Sequence, residues 1–138
     1  MRVLLDGGAY MPTRGHASDA GLDLRCRIGD GKTVPAHGSA VFDTGVHVLL
    51  DGGTVGFLKS KSGLNVYHGI MSEGVIDAGY TGPIMVKLYN HSDTDYVVNS
   101  GDKITQLVIL PCLLPQVELV DELPDTDRGE NGFGSTGK

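Results

Sequence analysis

The alternation of Ile84, Val86 and Leu88 with Met85, Lys87 and Tyr89 sets the strongest limit on the fold. A period of two places successive side chains on opposite faces of an extended strand, whereas a buried helix face needs spacings of three and four. Short apolar runs repeat the theme at Val3–Leu5, Leu22–Ile28, Ala40–Phe42, Val46–Leu50, Val55–Leu58, Tyr96–Val98 and Ile104–Leu110. Turn-forming clusters divide them, among them Asp6-Gly7-Gly8, Gly29-Asp30-Gly31, Asp51-Gly52-Gly53, His91-Ser92-Asp93 and Asn99-Ser100-Gly101-Asp102. With 21 glycines in 138 residues and no Trp, few long helices can survive. The pattern predicts an all-β domain, a distorted jelly-roll-like barrel or sandwich. One short helix is expected over Ser62–Tyr67, with Ser62 or a neighbour as its cap and Gly69 ending it. A single domain is expected over residues 1–123, followed by a flexible C-terminal arm over 124–138 in which Pro124–Asn131 reads as a linker.

The formal charge is −6, with acids crowded late in the chain at Glu118, Asp121, Glu122, Asp125, Asp127 and Glu130. No basic stripe interleaved with aromatics is present, so direct binding to nucleic acid is not expected. An acidic protein still binds a small polyanion where a divalent metal and a few local cations offset the charge. Cys26 and Cys112 stand alone, without CxxC spacing or paired histidines, which argues against a zinc site. The apolar run after Met1 is too short for a signal peptide and no run reaches membrane-spanning length, so the expectation is a cytoplasmic protein without a membrane partner.

Five stretches combine residue types that carry chemistry. Ala20-Gly21-Leu22-Asp23-Leu24 puts a carboxylate into a strand start, where Asp is disfavoured unless it faces solvent or has a task. Ser60-Lys61-Ser62-Gly63-Leu64 offers hydroxyls, a lysine and a glycine at a helix start, a composition that suits an anion but is also common in plain helix starts. Gly74-Val75-Ile76-Asp77-Ala78-Gly79-Tyr80-Thr81-Gly82 has the shape of a hairpin whose mouth holds a flat ligand by main-chain groups. Its Asp77 is either a turn former or a base, and Tyr80 either an edge anchor or a platform under a sugar. Gly101-Asp102-Lys103-Ile104-Thr105-Gln106-Leu107 is a turn entering a strand, with Gln106 in phase with Ile104 and Val108 and so in need of polar partners. Gly132-Phe133-Gly134-Ser135-Thr136-Gly137-Lys138 matches most of a phosphate-binding loop. With neither the following hydroxyl residue nor a helix, it is expected to be a glycine-rich tail that closes over a phosphate ligand held elsewhere, and the plain alternative is a disordered terminus. His16, His37, His47, His68 and His91 show no ligand spacing and read as structural or surface residues.

In this order and at this spacing, the five stretches resemble the five motifs of the trimeric deoxyuridine triphosphate nucleotidohydrolase (dUTPase) family, across nearly the whole chain. The resemblance implies a jelly-roll-like fold, a homotrimer with shared active sites, and Mg²⁺-assisted hydrolysis of dUTP to dUMP and pyrophosphate by water attack on the α-phosphorus, the activity of a dUTP diphosphatase. Carried over by position, Asp77 orients the attacking water and meets the sugar 3′-hydroxyl, and Tyr80 packs against the deoxyribose and excludes a 2′-hydroxyl. Main-chain groups from Val75 and Ile76 to Tyr80 read uracil. Lys61, Ser62 and Gly63 bind phosphate, Gln106 contacts the α-phosphate, and Asp23 holds metal-bound waters. Arg128, Ser135 and Thr136 clamp the terminal phosphates while Phe133 covers the base, and Gly134 also binds substrate. One departure stands out: the second family motif usually reads Pro-Arg-Ser where this chain has Ser60-Lys61-Ser62, and lysine lacks the planar fork of arginine. Three other functions compete. A dCTP deaminase, alone or combined with dUTPase activity, would use Glu73 as its acid. A nucleotide-dependent regulatory member would signal to a partner protein, and a bare structural module would not need the tail at all.

Overall fold

The computed structural model describes residues 1–132. Nine strands and one helix follow one another as β1 (Arg2–Leu5), β2 (Gly21–Arg25), β3 (Lys32–Val34), β4 (Ser39–Leu49), β5 (Thr54–Lys59), α1 (Ser62–His68), β6 (Ile70–Asp77), β7 (Pro83–Asn90), β8 (Tyr96–Val98) and β9 (Lys103–Pro111). Seven strands form one antiparallel sheet in the order β1-β4-β7-β6-β5-β9-β2, and β3 pairs with β8 beside it. The fold is all-β, as the alternation requires. In β7, Ile84, Val86 and Leu88 are fully buried while Met85 and Tyr89 remain exposed. They meet Leu24, Phe42, Val46, Ile104 and Leu107 in a single core.

The sheet curls because β6 changes partner halfway. Its first three residues pair with β7, as Ile70↔Asn90, Met71↔Tyr89 and Ser72↔Leu88. From Glu73 onward it pairs instead with β5, ending at Val55↔Asp77. The two arms of the β6–β7 hairpin therefore splay apart beyond Ser72 and Leu88, and the turn between them closes an open mouth.

Two expected runs, Ala40–Phe42 and Val46–Leu50, fall in the single strand β4, which ends one residue before Leu50. A bulge joins them: the register slips between Asp43↔Met85 and His47↔Pro83. Gly45 takes a left-handed φ of 60° there, Thr44 Oγ1 donates to the Ile84 carbonyl, and the Asp43 carboxylate accepts from Gly45 N–H. A bulge of this kind bends a strand and re-aims the side chains beyond it.

The helix is one residue longer than expected, and its N-cap is the neighbour of Ser62. Lys61 occupies the N-cap position without a side-chain cap, and Ser62 is already helical. Lysine carries no acceptor, so it cannot close the first turn. Gly69 ends the helix at φ 64°, as expected. After Pro111 no strand or helix follows among the described residues, and Leu113, Val117, Leu119 and Leu123 are exposed.

Candidate active site

Two recesses carry the residues singled out in the sequence. The first lies on the outer face of β2 and β9 and the start of α1, a cleft of about 580 Å³ lined by Asp23, Lys59, Lys61, Lys103 and Gln106 among others. Register explains the gathering, because Asp23 pairs with Gln106 across β2–β9 and Gln106 pairs with Lys59 across β9–β5. Paired residues share a face, so one row of the sheet carries a carboxylate, a carboxamide and an ammonium. Gln106 finds the partner its position demanded: Nε2 donates to the Ser60 carbonyl at 3.0 Å.

Asp23 is buried and lies between two cations. Lys61 Nζ is 2.5 Å from Oδ1 and Lys103 Nζ is 2.7 Å from Oδ2. Burial alone would raise its pKa, but the hydrogen bonds and charges of Lys103 and Lys61 outweigh it and hold the carboxyl below its ordinary 3.8. The pair of lysines outnumbers the Asp23 carboxylate between them, while Asp19 brings a second carboxylate to the cleft lining. Lys59 brings a third ammonium, engaged by Glu73 at 2.7 Å. Immediately beyond Lys61, Ser62 and Gly63 open α1 with no side-chain cap. A β-carbon on Gly63 would meet nothing within 4 Å. This half of the molecule suits a phosphate chain.

The second recess is the splayed mouth of the β6–β7 hairpin, about 240 Å³, lined by Val75, Ile76, Asp77, Tyr80 and Met85. Because β6 and β7 have parted, the main-chain edges that face each other here have no ladder partners across the mouth. Free backbone donors and acceptors at the rim of an apolar slot are what a flat, polar-edged ring needs. The turn is held from within, since Tyr80 N–H donates to the Asp77 carbonyl at 3.0 Å and Tyr80 Oη donates to the Pro83 carbonyl at 2.9 Å. Gly82 lets the ring lie down: a β-carbon there would stand 2.5 Å from Tyr80 Oη and 2.7 Å from Cζ.

The expected residues thus divide. Asp23, Lys61 and Gln106 meet in the cleft, with Ser62 and Gly63 opening the helix that follows Lys61. Val75, Ile76, Asp77 and Tyr80 meet in the mouth. Arg128 joins neither; it is exposed and donates to its own neighbour's carbonyl, at Asn131. Phe133, Gly134, Ser135 and Thr136 lie outside the described residues. Lys59, Lys103 and Met85 were not expected at either site. The strand phase that flagged Gln106 could have flagged Lys59, but only with the register of β5 against β9 known. Glu73, the candidate deaminase acid, lies outside the mouth, and the hydrogen bond and charge of Lys59 push its pKa down.

Among the described residues no group of three or more His, Cys, Asp or Glu side chains is placed to hold a metal. Both oxygens of Asp23 already accept from lysines. The donor set fits a divalent ion that arrives on a ligand's phosphates and meets Asp23 through water, and does not fit one held by protein alone. No helix of the described residues is long and apolar enough to cross a membrane.

Residues 8–137 match the family model described as dUTPase. The chain is 46% identical over 130 residues to the deoxyuridine 5′-triphosphate nucleotidohydrolase of Arabidopsis thaliana, covering 94% of this chain and 77% of that protein. It is 43% identical over 131 residues to the enzyme of the same name from Candida albicans, covering 93% and 81%. Among solved structures it resembles the Staphylococcus bacteriophage 80alpha dUTPase with dUPNHPP, at 30% identity and a TM-score of 0.88 over 99% of this chain and 98% of that one. It also resembles a mutant dUTPase from phage phi11 of S. aureus, described for its coordination of a structural Mg(II) ion, at 31% identity and a TM-score of 0.78 over 88% and 96%. Strand pattern, paired recesses and sequence relationship agree: the chain belongs to the dUTPase family.

Proposed function

We propose that this protein hydrolyses dUTP to dUMP and pyrophosphate, with the nucleoside in the β6–β7 mouth and the phosphates in the lysine-lined cleft. The observation that carries the reading is the splayed hairpin, an apolar slot rimmed by unpaired main-chain groups and flanked by one carboxylate and one tyrosine. Main-chain groups from Val75 to Tyr80 read the uracil edge. Tyr80, held flat over Gly82, packs against the deoxyribose and leaves no room for a 2′-hydroxyl. Asp77 accepts a proton from water as the water attacks the α-phosphorus, and pyrophosphate leaves in line. Lys61, the open N–H groups at Ser62 and Gly63, and Gln106 neutralise and orient the phosphates. Mg²⁺, bound to the triphosphate and touching Asp23 through water, would supply further charge neutralisation. The glycine-rich arm over 124–138, with Arg128, Phe133, Gly134, Ser135 and Thr136, closes the site and excludes solvent.

One chain holds the two halves apart. Asp77 is level with Val55 of β5, and Gln106 is level with Lys59, four residues further along. That is roughly 13 Å along the strand and about 10 Å across two strand spacings, with both side chains standing out from the sheet and not toward each other. The reading therefore places Asp77 of one copy opposite the cleft of another, as in a homotrimer with shared sites. Mixing two inactive variants tests this. Asp77→Asn and Gln106→Ala chains, unfolded and refolded together, should regain part of the wild-type turnover because some sites then draw both residues from intact chains. Mixed samples as inactive as either parent would show that each chain builds its own site.

The deaminase reading needs Glu73 beside the pyrimidine with a proton to give. Its ion pair with Lys59 and its place outside the mouth favour the hydrolase.

A further inference from the structure

The bulge in β4 brings His47 beneath the nucleoside turn. His47 Nδ1 lies 2.8 Å from the Thr81 carbonyl. Of the described residues, it is the only side chain from outside the hairpin to hydrogen-bond within residues 78–82. The other ring nitrogen, Nε2, is shut off from solvent and lies 3.3 Å from Asp6 Oδ1 without a well-directed hydrogen bond. Asp6 is itself held in place: its N–H donates to the Gly45 carbonyl in the bulge. Arg27 Nη1 stands between Asp43 at 2.8 Å and Asp6 at 3.5 Å. The bracing thus runs from Arg27 and Asp43 through Asp6 and His47 to the carbonyl between Tyr80 and Gly82.

Neither partner of the ring can donate. A carbonyl and a carboxylate are both acceptors, so both nitrogens are satisfied only when both carry protons. We infer that His47 is a positioning residue for the nucleoside pocket: its imidazolium pins Thr81, and thereby the Tyr80 ring, in the place that discriminates deoxyribose from ribose. The inference rests on the assignment of the nucleoside to this mouth. The alternative, that His47 only fills space, leaves unexplained why the bulge aims its donor at this one carbonyl.

The charged groups around the ring agree. The Thr81 hydrogen bond raises its pKa most, burial opposes, and Asp6 and Asp43 raise it further, so the net shift is upward from 6.5. Arg27 faces Asp6 and Asp43, and Arg2 of β1 shares the shallow groove beside the ring. A raised folded-state pKa contributes stability that is fully present below pH 6.5 and is lost as pH rises through the folded value. Above it Nδ1–H still faces the Thr81 carbonyl, but Nε2 presents a lone pair to the Asp6 carboxylate, so the ring loses its anchor and the tether loosens.

The test is steady-state kinetics on the full chain with dUTP and UTP across a pH series, for wild type, His47→Ala and Asp6→Asn. In wild type KM for dUTP should rise as pH passes the His47 pKa while kcat changes little. His47→Ala should show a KM raised about 3- to 10-fold at low pH, no further rise at high pH, and a smaller preference for dUTP over UTP. Asp6→Asn keeps the ring but removes the carboxylate, so the rise in KM should move to lower pH. Unchanged KM and sugar preference in His47→Ala, or a KM profile that survives it, would overturn the inference. A purely structural role would lower the melting temperature and depress activity equally at every pH, and that outcome also counts against it. Should wild type not turn over dUTP, the functional assignment fails and the tether is judged separately: the amide resonances of Tyr80 and Gly82 should titrate with the His47 ring, and flat resonances would refute it.

Discussion

The carboxamide of Gln106 fills the space that a β-carbon on Gly21 would need. The two residues lie on neighbouring strands, with Gly21 level with Val108 and Asp23 level with Gln106. The missing side chain leaves room for Gln106 Oε1 beside β2 while Nε2 donates to the Ser60 carbonyl. Gly21→Ala should therefore act on catalysis through Gln106. Turnover should fall on the order of 10- to 100-fold, the scale of a misplaced contact, with little change in melting temperature. Kinetics and thermal melts of the variant check this, and normal turnover would show that Gln106 has room to move without consequence.

Gly82 plays the matching part in the mouth. A methyl at this position would run into Tyr80 Oη and Cζ, so Gly82→Ala should lift the ring off the turn and break the bond to Pro83. The expected result is a narrower preference for dUTP over UTP, by about 10-fold, measured as the ratio of kcat/KM values. Equal narrowing in Tyr80→Phe would locate the effect in the lost hydroxyl bond and not in the ring's position.

Asp77→Asn keeps the shape of the turn and removes the base. Turnover should fall by about 10²- to 10⁴-fold while the affinity for a non-hydrolysable dUTP analogue is retained. Calorimetry and single-turnover kinetics separate the two. Unchanged turnover would remove Asp77 from the chemistry.

The ion triad at Asp23 predicts a pH signature. Its pKa is depressed on folding, so its contribution to stability is present above 3.8 and disappears as pH falls through the lower folded value. Asp23→Asn leaves Lys61 and Lys103 facing each other without a counter-charge. The variant should be less stable than wild type at neutral pH, with the gap closing only below 3.8. Urea midpoints measured against pH give the answer, and a gap constant with pH would show that the ion pairs do not contribute.

The sequence made the strand-rich core legible because β7 alternates cleanly and its buried residues are all Ile, Val and Leu up to Asn90. It hid β6, whose inward positions are Ile70, Ser72, Gly74 and Ile76. Ser72 is buried there only because it hydrogen-bonds Thr105 and Ser60, partners that no local pattern reveals. Thr105, to which no chemistry was assigned, turns out fully buried and bonded to both Ser72 and the Lys59 carbonyl. β3 was too short to show a period. The site followed the same rule. Asp77 and Tyr80 announced themselves within one turn, while the meeting of Asp23 with Lys61 and Lys103 depends on the pairing of strands far apart in the chain.

The most direct test of the account is one chromatographic assay with Mg²⁺ that offers dUTP, dCTP, dTTP and UTP separately. Selective conversion of dUTP to dUMP and pyrophosphate is the predicted result, since it requires a mouth that reads uracil, a ring that refuses the 2′-hydroxyl and attack at the α-phosphorus. Turnover of dCTP to a uracil-containing product, or binding of dUTP without hydrolysis, would contradict it.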